Sequence, residues 1–247
     1  MSTKPKELLR SAFSSAAAVG ITGALSPVVS ALSVIDERAP DRALHLWADS
    51  ILKASAVRTE CRGLENLPPG NFVLCANHQS HFDALVLFRH IRRHMRYVAK
   101  AELKKIPVFG WALQRAGNIF VDRSGGERDK NKLNDAAQAV RERVSVVFFA
   151  EGTRSDDGIL RPFKKGAAIM AIDAQVPLIP AEVAGTHRIL EKGSVAIRSR
   201  PSALIIGEPI DTKGMTQDDR DALTQRAHAE VAKLLEEGNR LVAEMER

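Results

Sequence analysis

Apolar residues recur along the chain in two rhythms. Short runs rich in Val, Ile and Phe, mostly bounded by Gly, Pro or Asn, predict strands over residues 72–76, 97–99, 119–121, 144–149, 178–183, 195–198 and 203–206. Other stretches repeat at helical spacing. Leu133, Ala136, Ala137 and Val140 mark one face of a helix between two of the strands. Leu223, Ala227, Val231, Leu234 and Leu241 mark a closing amphipathic helix over residues 216–247, which Thr216 can cap. Strands alternating with helices predict an α/β fold: a mostly parallel or mixed sheet covered by helices. No repeat, low-complexity tract or linker follows residue 58, so residues 57–247 read as one domain.

The amino-terminal pattern differs. Residues 11–35 carry no charge, and as a helix they would reach roughly 37 Å at about 1.5 Å per residue, enough to cross a bilayer. Ser11, Ser14, Ser15, Thr22, Ser26, Ser30 and Ser33 dilute the run, and Pro27 interrupts it. A signal peptide would explain Lys4, Lys6 and Arg10 ahead of it. A transmembrane anchor would explain its length, and a monotopic anchor both its length and its weak hydrophobicity. In the next segment Leu44, Trp47, Ile51 and Ala54 share a helical face, while Asp49 and Lys53 pair on the other. Trp on an apolar edge suits a membrane interface, although the same face can pack on a globular body. Residues 1–56 are therefore expected to form a two-helix membrane anchor.

Composition narrows the classes. Of 247 residues, 45% are hydrophobic and 27% charged, which excludes bulk disorder. Lys and Arg outnumber Asp and Glu by 36 to 30, so an anionic partner such as phosphate or acidic lipid is expected. Aromatic residues are only 5%, too few for a stacking platform, and no nucleic acid is expected. Two cysteines, Cys61 and Cys75, cannot build a disulfide framework.

Candidate chemistry lies at strand ends, where α/β proteins place their sites. Asn77-His78-Gln79-Ser80-His81-Phe82-Asp83 follows the first of these strands. A histidine near neutral pKa can take a proton from an alcohol, and a carboxylate on its other ring nitrogen fixes the tautomer. Five residues along a straight helix turn by about 500°, so His78 and Asp83 meet only if His78 lies in the loop and Asp83 in the first helical turn. His78, His81 and Asp83 also suit a metal, and a purely structural role is a third reading. His90 and His94 are four apart, but Arg92 and Arg93 lie between them, which opposes a cation. Glu151-Gly152-Thr153-Arg154-Ser155 follows another strand; Gly allows close approach of a ligand, and Arg grips phosphate bidentately. Gly117 to Arg123 is a strand ending in Asp-Arg. Arg89, Arg92, Arg93, Arg96, Lys100, Lys104 and Lys105 form a basic cluster beside one acid, Glu102. It reads either as a solvated face or as a hold on acidic lipid or phosphate. No Gly-x-Ser-x-Gly, Walker A or dinucleotide fingerprint occurs. Cys75, within an apolar strand, reads as a buried inert thiol.

Together and in this order, the motifs resemble the bacterial 1-acyl-glycerol-3-phosphate acyltransferases, within the wider glycerolipid acyltransferase family. Asn-His-x-x-x-x-Asp matches Asn77, His78 and Asp83. The second block matches Gly117 to Arg123, the third Phe149 to Ser155, and the fourth, Val-Pro-x-x-Pro, Val176 to Pro180. Ala150 departs from the pattern, which has Pro there. The resemblance covers roughly residues 58–210. It implies transfer of an acyl group from acyl-CoA or acyl-carrier protein to the free sn-2 hydroxyl of lysophosphatidate, giving phosphatidate. His78 would be the general base and Asp83 its partner. Arg154 with Glu151, Gly152 and Thr153 would hold the acceptor phosphate, assisted by Arg123 and Lys100 or Lys104. No metal and no cofactor beyond the acyl-donor co-substrate are implied. Another acceptor, thioester hydrolysis or an inactive lipid-binding protein are the alternatives. Acyl-donor access and the positive-inside rule together imply a peripheral or monotopic protein, held on the anionic surface of the cytoplasmic (inner) membrane, at its cytoplasmic face.

Overall fold

The computed structural model describes residues 5–121 and 136–247. Among these, β1 (Thr59–Arg62), β2 (Val73–Ala76), β3 (Met95–Lys100), β4 (Ile119–Val121), β5 (Ser145–Phe149), β6 (Leu178–Ala184) and β7 (Ser202–Ile206) form one sheet in the order β1-β7-β6-β2-β5-β3-β4. Neighbours from β6 to β4 are all parallel. Only the β6–β7 pair is antiparallel, so the sheet is mixed.

Helices cover both faces, which is why the central strands are apolar throughout rather than alternating. Period-2 geometry sends successive side chains to opposite layers. Leu74, Ala76, Val147, Ile179 and Leu204 meet α2 (Asp41–Ala54) and α3 (Phe82–His90) in one core. Val73, Cys75, Val146, Phe148 and Leu178 meet α5 (Gly166–Ala174), the helical residues 136–142 and the start of α6 (Arg220–Met245) in another. Thr216 and Asp219 form a reciprocal capping box just ahead of α6. Leu223, Ala227, Val231 and Leu241 of α6 are buried as their spacing requires.

Three expectations change. Residues 195–198 form no strand: Val195 is 84% exposed and only Ile197 is buried deeply. β1 is an edge strand whose half-buried and exposed residues alternate, so it carries no apolar run to find. The third concerns α2. Its face was assigned to a membrane interface, but Leu44, Ala48, Ile51 and Leu52 are buried in the core with α3. Trp47 is half-buried; its Nε1 donates to Thr22 Oγ1 (2.9 Å) and its ring packs on Phe88 and Phe109. Thus α2 clasps α1 (Pro5–Leu32) to the body, and α1 also packs on α4 (Phe109–Arg115).

α1 is one 28-residue helix that continues through Pro27. It is long and apolar enough to cross a membrane and is mostly exposed. The hydroxyls of Ser15, Thr22, Ser26, Ser30 and Ser33 each donate to the carbonyl four residues earlier. Such back-bonding hides the polar groups from an apolar surrounding.

One close approach organises the far side of the sheet. A Cβ on Gly238 of α6 would lie 2.1 Å from Glu182 Oε2 and 3.0 Å from Ala184 Cβ. Gly238→Ala is expected to destabilise by about 1–3 kcal/mol, typical of overpacking, and to lower Tm by roughly 2–4 °C per kcal/mol. Glu182→Ala in the same chain should restore most of the loss. A higher Tm for Gly238→Ala, as helix propensity alone would give, would contradict this packing.

Candidate active site

β2 and β5 are parallel neighbours in register, Ala76 opposite Phe149, so both chains leave the sheet at the same edge. Asn77 is clamped at once: its Oδ1 accepts from Val183 N (2.8 Å) and its Nδ2 donates to Val183 O (3.1 Å). The next residue, His78, sits in the loop, and Asp83 sits in the first turn of α3. That is the arrangement in which the two side chains can meet. His78 Nδ1 bonds Asp83 Oδ2 at 2.8 Å.

Asp83 is fully buried, and donors surround it. Its Oδ2 also accepts from Gln79 N (2.7 Å) and Ser80 N (3.0 Å), and its Oδ1 accepts from Thr186 Oγ1. Gln79 Oε1 in turn bonds His187 (3.0 Å). The His78 ring lies flat on Phe149, with centroids 4.2 Å apart, and Phe149 stacks on Tyr97. The carboxylate selects Nδ1–H as donor and leaves Nε2 as the ring's acceptor. The His78 side chain is 18% exposed, against 0% for Asp83, so the ring, not the acid, reaches the surface.

The second motif is built around Glu151. Its Oε1 accepts from His78 N (2.6 Å) and its Oε2 from Arg161 N (3.1 Å). Both oxygens are thus committed to backbone amides. Burial pushes the Glu151 carboxyl up to about 7, with these two bonds pulling the other way. Gly152 takes a left-handed conformation (φ +70°) at the turn, where a side chain would be strained. Ser155 N donates to His78 O (2.8 Å), closing the two loops on each other. Thr153 is exposed and Arg154 half-buried. Partial burial first, then the Arg154 guanidinium and His78, push His81 down to about 4.

The remaining residues separate. Lys100 ends β3, beside β5, and is exposed at the same sheet edge. Lys104 Nζ sits 4.7 Å above the Phe120 ring. Arg123 lies outside the described residues, as does Leu133. Much of the basic cluster serves the fold. Arg89 and Arg92 pair with Asp49, Arg93 bonds the carbonyls of Pro68, Pro69 and Gly70, and buried Arg96 bonds Asp41. His90 bonds Thr59 and His94 bonds Asp41. Lys100, Lys104 and Lys105 of that cluster are exposed, as are Arg89 and Arg92 in their pairs with Asp49. Burial raises the Cys75 thiol to about 12, an inert state.

Sequence reasoning missed Thr186, Gln79 and the Phe149–Tyr97 stack. Thr186 is 103 residues from Asp83 and no local pattern marks it. It also missed Glu182, on the other face of the sheet. Both Glu182 oxygens are buried without a hydrogen-bond partner, and the neighbouring Asn77 amide is engaged by Val183. Burial, then the Asp83 charge, holds this carboxyl well above the usual range. Its folded value exceeds its unfolded one, so its contribution is full below about pH 4.5 and is lost as pH rises toward the folded value. Between pH 5 and 8 the Tm of the wild type should therefore fall relative to that of Glu182→Gln, whose amide does not titrate. Parallel Tm curves across that window would show that Glu182 is ionised in the fold.

The chain matches the acyltransferase family model over residues 58–184. A chloroplastic 1-acyl-sn-glycerol-3-phosphate acyltransferase of Brassica napus is 37% identical over 67% of this chain and 48% of its own length. The human 1-acyl-sn-glycerol-3-phosphate acyltransferase alpha is 33% identical over 69% of this chain and 61% of its own. The chain thus spans about half to three-fifths of these curated relatives. Among solved structures, the 1-acyl-sn-glycerophosphate acyltransferase PlsC of Thermotoga maritima shares the fold, with a TM-score of 0.78 and 24% identity, over 94% of this chain and 97% of that one.

Proposed function

The chain belongs to the acyltransferase family, and from that premise we propose that it acylates the free sn-2 hydroxyl of lysophosphatidate, giving phosphatidate, with acyl-CoA or acyl-carrier protein as donor. The observation that carries this reading is the His78–Asp83 pair, with Nε2 unspent among the described residues at the sheet edge and the Arg154 turn tied beside it through Ser155 N and His78 O. The names of the relatives support the same acceptor.

His78 Nε2 takes the proton of the acceptor hydroxyl as its oxygen attacks the thioester carbonyl carbon. The C–S bond then breaks, and the departing thiolate takes the proton back from His78. Asp83 stabilises the imidazolium that exists between these transfers. No covalent enzyme intermediate and no cofactor enter the sequence. Arg154 grips the acceptor phosphate, and Gly152 and Thr153 shape the turn that presents it. Glu151 acts as a positioning residue, because both its oxygens hold backbone. Lys100 adds positive charge at the same edge, and Arg123 assists by resemblance to the family motif. Fixing the hydroxyl against Nε2 in this way can supply several kcal/mol. The exposed apolar α1 holds the body at the cytoplasmic face of the membrane.

His78→Ala should cost about 10²–10⁴-fold in kcat with Tm preserved, while His81→Ala should cost far less. Release of CoA with lysophosphatidate, glycerol 3-phosphate and lysophosphatidylcholine as rival acceptors tests the substrate. Release without any acceptor, or equal losses at the two histidines, would sink the proposal.

Arg154→Lys keeps the charge but not the bidentate fork. It should raise KM for lysophosphatidate several-fold more than KM for the acyl donor. An unchanged acceptor KM would remove Arg154 from phosphate binding.

A further inference from the structure

A second apolar surface rises beside the candidate site. After Lys100 ends β3, the chain runs through a 3-10 turn (Ala101–Lys105) into α4. Between them Ile106 is 43% exposed and Val108 50%, and Trp111 on α4 is 51% exposed. Val108 is held outward by force. Its φ is +64°, unusual for a β-branched residue, and Phe109 N closes a three-residue turn onto Pro107 O. Such a conformation is costly and persists only where the surroundings impose it. Exposed apolar groups clustered on a strained tip mark an interaction surface.

Three observations select the occupant. Exposed Lys104 and Lys105 directly precede the tip, and the guanidinium of exposed Arg115 lies 5.5 Å over the Trp111 ring. Cations around a Trp and aliphatic tip match an anionic lipid surface. The tip is continuous with α1, which packs on α4, and Phe109 of α4 meets Trp47 of the α1–α2 clasp. It also leaves the sheet at the edge where β5 delivers the Glu151–Arg154 turn.

We infer that the Ile106–Val108 tip and Trp111 insert into the interfacial layer of an anionic bilayer, as a second membrane contact beside α1 that sets the site's mouth against the lipid. This rests on the membrane reading of α1 given above. The bilayer would receive three apolar side chains, and the cations would stay at the headgroups.

Only two tryptophans occur, Trp47 and Trp111. In the full-length protein with Trp47→Phe, Trp111 is the sole reporter. It would be mixed with vesicles of phosphatidylglycerol and phosphatidylcholine brominated on the acyl chains. Trp111 emission should fall at least twofold, and Val108→Asp in the same chain should abolish most of that quenching. Protein that cosediments with vesicles through α1 yet stays unquenched overturns the inference and leaves the α1 reading standing. Protein that does not cosediment overturns both. A Trp111 emission shift on raising protein concentration without lipid would assign the tip to a second copy of the chain, and would also overturn it. Acyl transfer to a short-chain, monomeric acceptor is measured alongside, so loss of the enzymatic reading registers separately.

Discussion

Asp83 is a carboxylate with no access to water, and much of the site's architecture follows from that. An unpaired buried charge would cost many kcal/mol, so each group that bonds it is fixed with it. Two donors are amides of its own loop, one is the His78 ring, and one is Thr186 from the chain beyond β6. A single side chain thus sets the path out of β2, the start of α3 and the position of the segment after β6. The ring it holds has little rotational freedom left, because Phe149 lies flat against it. Orientation and tautomer are thus set by the fold itself, which is what the proposed base would need to act without reorganisation.

Glu151 performs a parallel task between loops. By accepting from His78 N and Arg161 N it ties the β2 loop to the segment following β5. A carboxylate spent on two amides has little left for a ligand. The adjacent Gly152 turn reverses the chain, and the first cation beyond it is Arg154. The motif therefore divides its labour: the acid holds backbone and the glycine permits the turn that brings half-buried Arg154 beside the loop.

The strand pattern was legible where strands are buried on both faces, since a continuous apolar run needs no partner to be seen. It failed at the two extremes. β1 alternates because only one side of an edge strand is covered, and residues 195–198 hold a single buried side chain in extended coil. The juxtaposition of His78 and Asp83 was legible as a geometric condition on a loop-to-helix transition. Thr186 and Glu182 were not, because long-range packing alone brings them beside the motif. The basic cluster misled for the same reason: Asp41 and Asp49, on α2, are the partners that neutralise much of it, and they lie about 40 residues or more upstream. A charge run is read correctly only when its counter-charges are known.

The amino-terminal segment shows how composition can understate apolarity. Counted as residues, the serines of α1 weaken it. Counted as unsatisfied polar groups they weigh less, since the hydroxyls of Ser15, Ser26 and Ser30 each meet a carbonyl of their own helix. A helix that satisfies itself can face hydrocarbon, whereas α2, with a strongly polar opposite face, cannot do so on both sides and instead turns its apolar side to α3. The division follows: α2 completes the core, and α1, packed on it through Val29, Trp47 and Thr22, leaves most of its surface outside. Attachment to both α2 and α4 also fixes the angle at which the sheet edge meets whatever surface α1 occupies. For the proposed reaction, whose acceptor would carry its hydrocarbon chain in a bilayer, that angle would matter as much as the chemistry at His78, because a base is useless if its open nitrogen faces away from the lipid.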